Sequence, residues 1–188
     1  MKRVNIKKIT ISAMLIALAL ALSVAERLLP IGALIPVPGI KLGLANIVTM
    51  FALFYIGTPG ALLILVSRCL LAALFSGITT LIFSLSGGIL ALFVMLLVMQ
   101  WQGRAFSIFG ISIAGAAAHN VGQIFAASLF LGENLIYTYL PLLLLTGVAT
   151  GILTAAISGS LFTKLERNGT IARYFSGAKM RMSKGKTI

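Results

Sequence analysis

Long apolar runs, separated by short breaks that contain polar residues, glycine or proline, occupy almost the entire chain. A helix crosses the roughly 30 Å of membrane hydrocarbon with about 20 mostly apolar residues, and six of the runs approach that length. The runs are continuous, and lipid leaves no hydrogen-bond partner for an open sheet edge, so we expect helices and not strands. The predicted spans are residues 9–29, 41–57, 59–77, 80–100, 106–131 and 135–162. The pattern therefore predicts an all-α integral membrane protein, folded as a six-transmembrane-helix bundle.

Composition supports the membrane prediction and excludes several kinds of chemistry. The 188 residues are 60% hydrophobic and 10% charged, with a mean hydropathy of +1.10, whereas roughly a quarter of the residues in a soluble domain are charged. The chain has no aspartate, the residue that usually holds catalytic magnesium, and its single histidine and single cysteine cannot assemble a zinc site. We therefore expect no enzymatic activity, no metal and no cofactor.

The positive charges predict the topology. Twelve of the fifteen Lys and Arg residues precede the first span, follow the last, or lie between the fourth and fifth spans. An even number of spans puts both termini on one side, which the positive-inside rule makes cytoplasmic. The prediction is a basic N-terminus at 1–8, a membrane domain at 9–163 and a basic tail at 164–188, in a multi-pass protein of the cell membrane. Anionic lipid accounts for the basic ends, so nucleic acid is not an expected partner.

The first span has two features of its own. A basic start followed by an apolar run is also typical of a secretory signal, but this run is longer than a signal core and five more follow, so we predict a retained helix. Alanines recur at every fourth position, and such a ridge of small residues lets another helix approach closely. The ridge is a candidate docking surface for a partner, although alanine is common in membrane helices, and consists of Ala13, Ala17, Ala21 and Ala25.

Polar side chains inside or at the edge of the spans are candidate functional residues, because each carries a desolvation cost. His119 and Gln123 are four residues apart, and Asn120 and Gln123 are three apart, so all three share one helix face. Arg68 lies near the middle of the third span, too deep to reach water easily. The predicted ligand-binding set, which lies toward the outer half of the membrane, is Glu26, Lys41, Asn46, Arg68, His119, Asn120 and Gln123.

The chemistry of this set favours a small polar or anionic ligand. Arginine offers a planar fork suited to carboxylate or phosphate, and amide side chains both donate and accept hydrogen bonds. A structural alternative stays open, in which Glu26 neutralises Arg68 or Lys41. In that alternative, Asn120 and Gln123 tie helices together by interhelical hydrogen bonds worth about 0.6 to 2 kcal/mol each.

Several segments resemble a known family. The segments "PGIKLGLANIVTMFALFYIG", "SRCLLAALFSG", "SLSGGILALFVM", "AAAHNVGQIFAA" and "YLPLLLLTGVATGIL" are similar to the Gx transporter family, also called heptaprenyl diphosphate synthase component I. The resemblance runs from about residue 9 to about residue 163. Six spans, the alanine ridge and an outer polar cluster also resemble the substrate-binding S components of energy-coupling factor (ECF) transporters.

The two family labels imply different roles. The S-component resemblance implies capture of a small molecule from outside, with a coupling (T) membrane subunit and two cytoplasmic ATPases driving uptake. The synthase label implies an accessory membrane subunit for polyprenyl diphosphate synthesis or isoprenoid handling, not itself catalytic, with a prenyl synthase as partner. The ligand stays open between a vitamin-like or quinone-precursor-like compound and an isoprenoid phosphate. A secondary transporter acting alone is disfavoured, because Glu26 is the only acidic residue within the spans.

Overall fold

A computed structural model of the chain describes residues 6–28, 44–102, 105–132 and 134–168. These residues contain no β-strand element, and their only extended pairing is an isolated bridge between Gln102 and Phe106. The all-α prediction is confirmed for this part of the chain. The five α-helices, with a short 3-10 helix Asn134–Tyr139 before the last, are α1 (Ile6–Leu28), α2 (Leu44–Tyr55), α3 (Thr58–Met99), α4 (Ile108–Leu131) and α5 (Leu140–Arg167).

Four of these helices, α1, α3, α4 and α5, are long and apolar enough to cross a membrane. The chain is therefore a multi-pass membrane protein. The remaining helix, α2, has 12 residues and a length of about 18 Å, which is shorter than the hydrocarbon layer. Its predicted span began at residue 41, but residues 41–43 lie outside the described part of the chain.

The third and fourth predicted spans are joined in α3, a helix of 42 residues whose path is broken at Gly77. The φ angle of Gly77 is 80°, a left-handed conformation that residues with a Cβ rarely adopt. The two halves, α3a (residues 58–76) and α3b (residues 78–99), contact one another, because a Cβ added at Gly88 would lie 2.5 Å from the Leu65 side chain. The chain thus reverses direction at one glycine, where the sequence had predicted a short loop.

The short helix α2 lies in the core of the bundle. Ten of its residues are buried, and it packs against α1, α3 and α5. At its C-terminal end, the rings of Phe51, Phe54 and Tyr55 surround Phe162 of α5, with centroid distances of 5.8, 5.8 and 5.2 Å. We call these four rings the aromatic end of the bundle.

Glycines set the close crossings of α4 with its two neighbours. A Cβ added at Gly122 of α4 would lie 2.9 Å from the Gly87 Cα of α3b, so the two backbones touch. At this crossing the Ser86 hydroxyl donates a hydrogen bond to the Gly122 carbonyl at 2.7 Å. The crossing of α4 with α5 repeats the arrangement, since the Ser112 hydroxyl donates to the Gly151 carbonyl at 2.9 Å.

Candidate functional site

Buried polar side chains occupy the interior of the helix bundle. Lys41 lies outside the described residues, and Asn46 is half-buried at the start of α2. The other members of the predicted ligand-binding set are only 6 to 9% exposed, so they lie inside the protein. They are Glu26, Arg68, His119, Asn120 and Gln123. The structure thus supplies a polar interior, and the partners of each side chain indicate what it can do.

Arg68 connects three helices. Its Nη2 donates a long hydrogen bond to the Asn46 Oδ1, at 3.4 Å. The Glu26 carboxylate of α1 interacts electrostatically with the guanidinium, which agrees in direction with the structural alternative. Within the described residues, the Arg68 Nε is a buried donor without a hydrogen-bond partner. The guanidinium therefore retains donor capacity that a ligand can use.

His119 and Gln123 lie together at the crossing of α4 with α3b. A Cβ added at Gly87 would lie 2.8 Å from the Gln123 Cγ and 3.0 Å from the His119 Nδ1. The absence of a side chain at Gly87 therefore gives the two polar groups their space. The helix periodicity correctly placed both on one face, and the structure identifies α3b as the helix that this face contacts.

Asn120 has a structural contact of the kind that the alternative predicted. Its Nδ2 donates a hydrogen bond to the Leu143 carbonyl of α5 at 2.5 Å. A Cβ at Gly147 would lie 2.8 Å from the same nitrogen, so the amide fits against α5 where that helix has no side chain. Asn120 ties α4 to α5.

A small cavity of about 10 Å³, enough for roughly one water molecule, lies between α2, α3b, α4 and α5. Its walls combine amide and hydroxyl groups with two thioethers and small residues, and the lining residues are Asn46, Met50, Met95, Ser112, Gly115, Ala116 and Thr154. Of these, only Asn46 belonged to the predicted site. Ser112 precedes Ala116 and Asn120 by one and two helical turns, so the face already recognised on α4 carried the signal that could have identified it.

The alanine ridge of α1 faces away from the bundle. All four of its members are exposed, whereas Ala19, which lies off the ridge, is fully buried. The neighbouring Met14 and Leu18 are 68% and 49% exposed. α1 thus presents a strip of small side chains, flanked by large apolar ones, on the outside of the described structure.

Long apolar helices enclosing a guanidinium, an imidazole, amides and hydroxyls define an integral membrane protein with a candidate binding site inside its helix bundle. Its family can be stated as well. The chain belongs to the heptaprenyl diphosphate synthase component I family, whose sequence profile matches residues 15–161, from within α1 to within α5. The resemblance seen in the sequence motifs is confirmed. No curated protein and no solved structure matches the chain.

Proposed function

We propose that the chain is the substrate-binding membrane subunit, or S component, of an ECF-type uptake transporter, and that it binds a small polar or anionic ligand from the outer side. The observation that carries this proposal is the burial of Arg68, His119 and Gln123 between membrane helices. Ionisable and polar groups at such positions are costly, and in membrane proteins they usually mark the path or the site of a ligand. The guanidinium, the imidazole and the amide can bind a ligand by hydrogen bonds, which is the role of a non-catalytic binding subunit.

The proposed topology has six crossings in the cell membrane, with both termini in the cytoplasm. A straight helix with the 42 residues of α3 would be about 63 Å long, twice the hydrocarbon thickness. The break at Gly77 and the contact of Leu65 with Gly88 support two antiparallel crossings by α3a and α3b. With α1, α4, α5 and the predicted span 41–57, of which α2 is the described part, these would complete the proposed six-helix bundle.

The proposed partners are a coupling (T) membrane subunit and two cytoplasmic ATPases. The exposed ridge of α1 supports a membrane partner, because small residues let a second helix approach the backbone closely. Replacement of Ala17 by leucine should release the coupling subunit in a pull-down while the ligand stays bound. The exposed Met14 lies on the same helix off the ridge, so Met14→Leu is the matched control and should retain the complex.

Native mass spectrometry of the gently solubilised protein, purified from its own host, tests the proposal. We expect a small molecule to co-purify with the wild-type chain and to be lost from Arg68→Ala and His119→Ala. Leu129→Ala, a substitution at a 70% exposed position of α4, should keep it. A coupling subunit and an ATPase should appear in the same preparation. A wild-type chain without cargo, or cargo retained by both site variants, would contradict the proposal.

The family description favours a second candidate, an accessory membrane subunit for polyprenyl diphosphate synthesis or isoprenoid handling. In this case a soluble prenyl synthase carries out the reaction, and the chain presents lipid substrate at the cytoplasmic surface. The same preparation separates the two functions. An empty chain that co-purifies with a prenyl synthase, unaffected by Arg68→Ala and His119→Ala, would establish the accessory role.

A further inference from the structure

The cavity between α2, α3b, α4 and α5 has the size of one water molecule. Its volume is about 10 Å³, and a space of about 10 to 15 Å³ is what one water needs. A buried water also needs about two to four polar partners, whereas a cavity with only apolar walls stays dry. The polar groups in the walls therefore decide whether water binds here.

Three polar side chains line the cavity, and each belongs to a different helix. Asn46 lies on α2, Ser112 on α4 and Thr154 on α5. Both hydroxyl residues are 5% exposed, so water that reaches them lies inside the protein. The thioethers of Met50 and Met95 line the same space. A molecule in the cavity is thus close to polar groups from three helices.

The two hydroxyl groups of the lining act as acceptors toward the cavity. The Ser112 hydroxyl donates its proton to the Gly151 carbonyl at 2.9 Å, and the Thr154 hydroxyl donates to the Thr150 carbonyl at 2.6 Å. Each proton is therefore in use, and the oxygen lone pairs remain. The molecule in the cavity must supply a hydrogen-bond donor for each hydroxyl.

The Asn46 amide offers the opposite hydrogen-bonding group. Its Oδ1 accepts from the Arg68 Nη2, so its NH₂ group remains as a donor. Water matches the complete set, because it can donate to both hydroxyls while it accepts from the amide. A metal cation does not match, because the amide NH₂ group would face it and the lining residues include no carboxylate.

We infer that one structural water occupies this cavity, accepts a hydrogen bond from the Asn46 Nδ2 and donates to the Ser112 and Thr154 hydroxyls. The hydrogen bonds then run in one direction, from the Arg68 guanidinium through the amide and the water to carbonyls of α5. Bonds in such a chain polarise and strengthen one another. The water site itself is independent of the uptake function.

The water makes Asn46 a positioning residue for Arg68. Because the water uses both of its protons on the hydroxyls, it holds the amide with Nδ2 toward the cavity and Oδ1 toward the guanidinium. This part of the inference rests on the proposed function, in which Arg68 binds the ligand. Loss of a hydroxyl from the cavity should then weaken cargo binding without removing any group that touches the cargo.

X-ray radiolytic footprinting of the full chain in lipid nanodiscs tests the water site without a ligand. Radiolysis turns bound as well as bulk water into hydroxyl radicals, which oxidise a neighbouring methionine to its sulfoxide. Met95 is 3% exposed and lines the cavity, whereas Met99, one turn along the same helix, is 8% exposed and is not among the lining residues. We expect mass spectrometry to find Met95 oxidised severalfold faster than Met99, although Met95 is the less exposed. Oxidation of Met95 no faster than that of Met99 would overturn the inference.

A pair of variants separates the bound water from transient opening of the bundle. Thr154→Val keeps the branched shape but removes an acceptor, so the oxidation rate of Met95 should fall severalfold. Thr150→Val is the matched control, because its hydroxyl also bonds to an α5 carbonyl, that of Gly147, but does not line the cavity. An unchanged rate in Thr154→Val would show that radicals enter from outside, which contradicts the water site.

Ser112→Ala, compared with Ser86→Ala, gives the same result if Thr154→Val does not fold. The footprint and the cargo are read out separately. A chain without cargo whose Met95 is oxidised as expected would contradict the uptake function and retain the water. A cargo-loaded chain without excess oxidation at Met95 would do the reverse.

Discussion

The aromatic end and the polar interior of the bundle are packed by different means. At the aromatic end, Phe162 is 2% exposed and has three aromatic rings around it. In the polar interior, His119 lies against Gly87, and Met95 lies against Gly115. Rings fill space rigidly, whereas methionines and small residues leave space that can change. The comparison indicates that large rings pack the aromatic end, whereas small and flexible side chains pack the polar interior.

The largest loss of stability is expected at the aromatic end. Phe162→Ala should lower the free energy of unfolding by about 3 to 5 kcal/mol, the usual cost of removing a buried phenylalanine ring. The measurement is unfolding in mixed micelles of rising denaturing-detergent content. The lipid-facing Phe125, which is 54% exposed, provides the control, and Phe125→Ala should change little. An equal loss of unfolding free energy in both variants would mean that the packing around Phe162 does not stabilise the bundle more than a lipid-facing ring does.

The next largest effect is expected where α4 crosses α3b in the polar interior. Gly122→Ala places a methyl group 2.9 Å from the Gly87 Cα and the Ser86 carbonyl, and overpacking of this kind costs about 1 to 3 kcal/mol. Gly159→Ala on α5 meets no atom within 4 Å and should be neutral or stabilising, because alanine favours helix. The same unfolding assay compares them. Tolerance of Gly122→Ala would show that this crossing is loose.

A smaller effect separates structural from ligand-binding roles among the polar groups. Asn120→Ala removes the hydrogen bond to the Leu143 carbonyl and should cost about 0.6 to 2 kcal/mol, the range for interhelical bonds in membranes. Native mass spectrometry should find the cargo still bound, unlike in Arg68→Ala. Loss of cargo at unchanged stability would instead assign Asn120 to the ligand.

The smallest expected effect compares two serines with the same backbone contact. Ser86→Ala and Ser112→Ala each remove one hydroxyl bond to a glycine carbonyl, and each should cost roughly 0.6 kcal/mol. Only Ser112 lines the cavity. Cargo occupancy measured by native mass spectrometry should therefore fall in Ser112→Ala and not in Ser86→Ala. Equal occupancy in both variants would show that the Ser112 hydroxyl does not contribute to cargo binding.

The helices follow from long apolar runs, which is why the all-α type was predictable, whereas the number of six crossings stays a prediction beside the four long apolar helices of the described residues. The break between the third and fourth spans was predicted within residues 77–80, but apolar patterning does not distinguish a loop from a single glycine with positive φ. The start of α5 shows a similar limit, since the predicted span began at residue 135 whereas the α-helix begins at Leu140 after a 3-10 turn. Such boundaries depend on backbone conformations that hydropathy does not encode.

The sequence predicted which polar residues share a face of one helix, but not which residues of other helices they contact. Spacing placed His119 and Gln123 on one face, but it did not identify Gly87 as the residue beneath them. The sequence does not distinguish Ser112 and Thr154 from other hydroxyl residues, because such residues often form hydrogen bonds within membrane helix bundles. The cavity depends on how Met50 and Met95 pack against α4 and α5. That relation is a property of packing and has no counterpart in a linear pattern.

The two glycine turns determine where a reporter enzyme can be inserted to map the sides of the membrane. α2 passes into α3 through Ile56 and Gly57, whose φ is 98°, and α3 reverses at Gly77 alone. An insertion at either turn would lie within two residues of a helix end on each side and would disturb the crossing that it is meant to locate. The connection between Met99 and Ile108 is longer, with eight residues between the two helices. Reporter fusions should be placed there, with crossings at the glycine turns assigned from the fusions on either side.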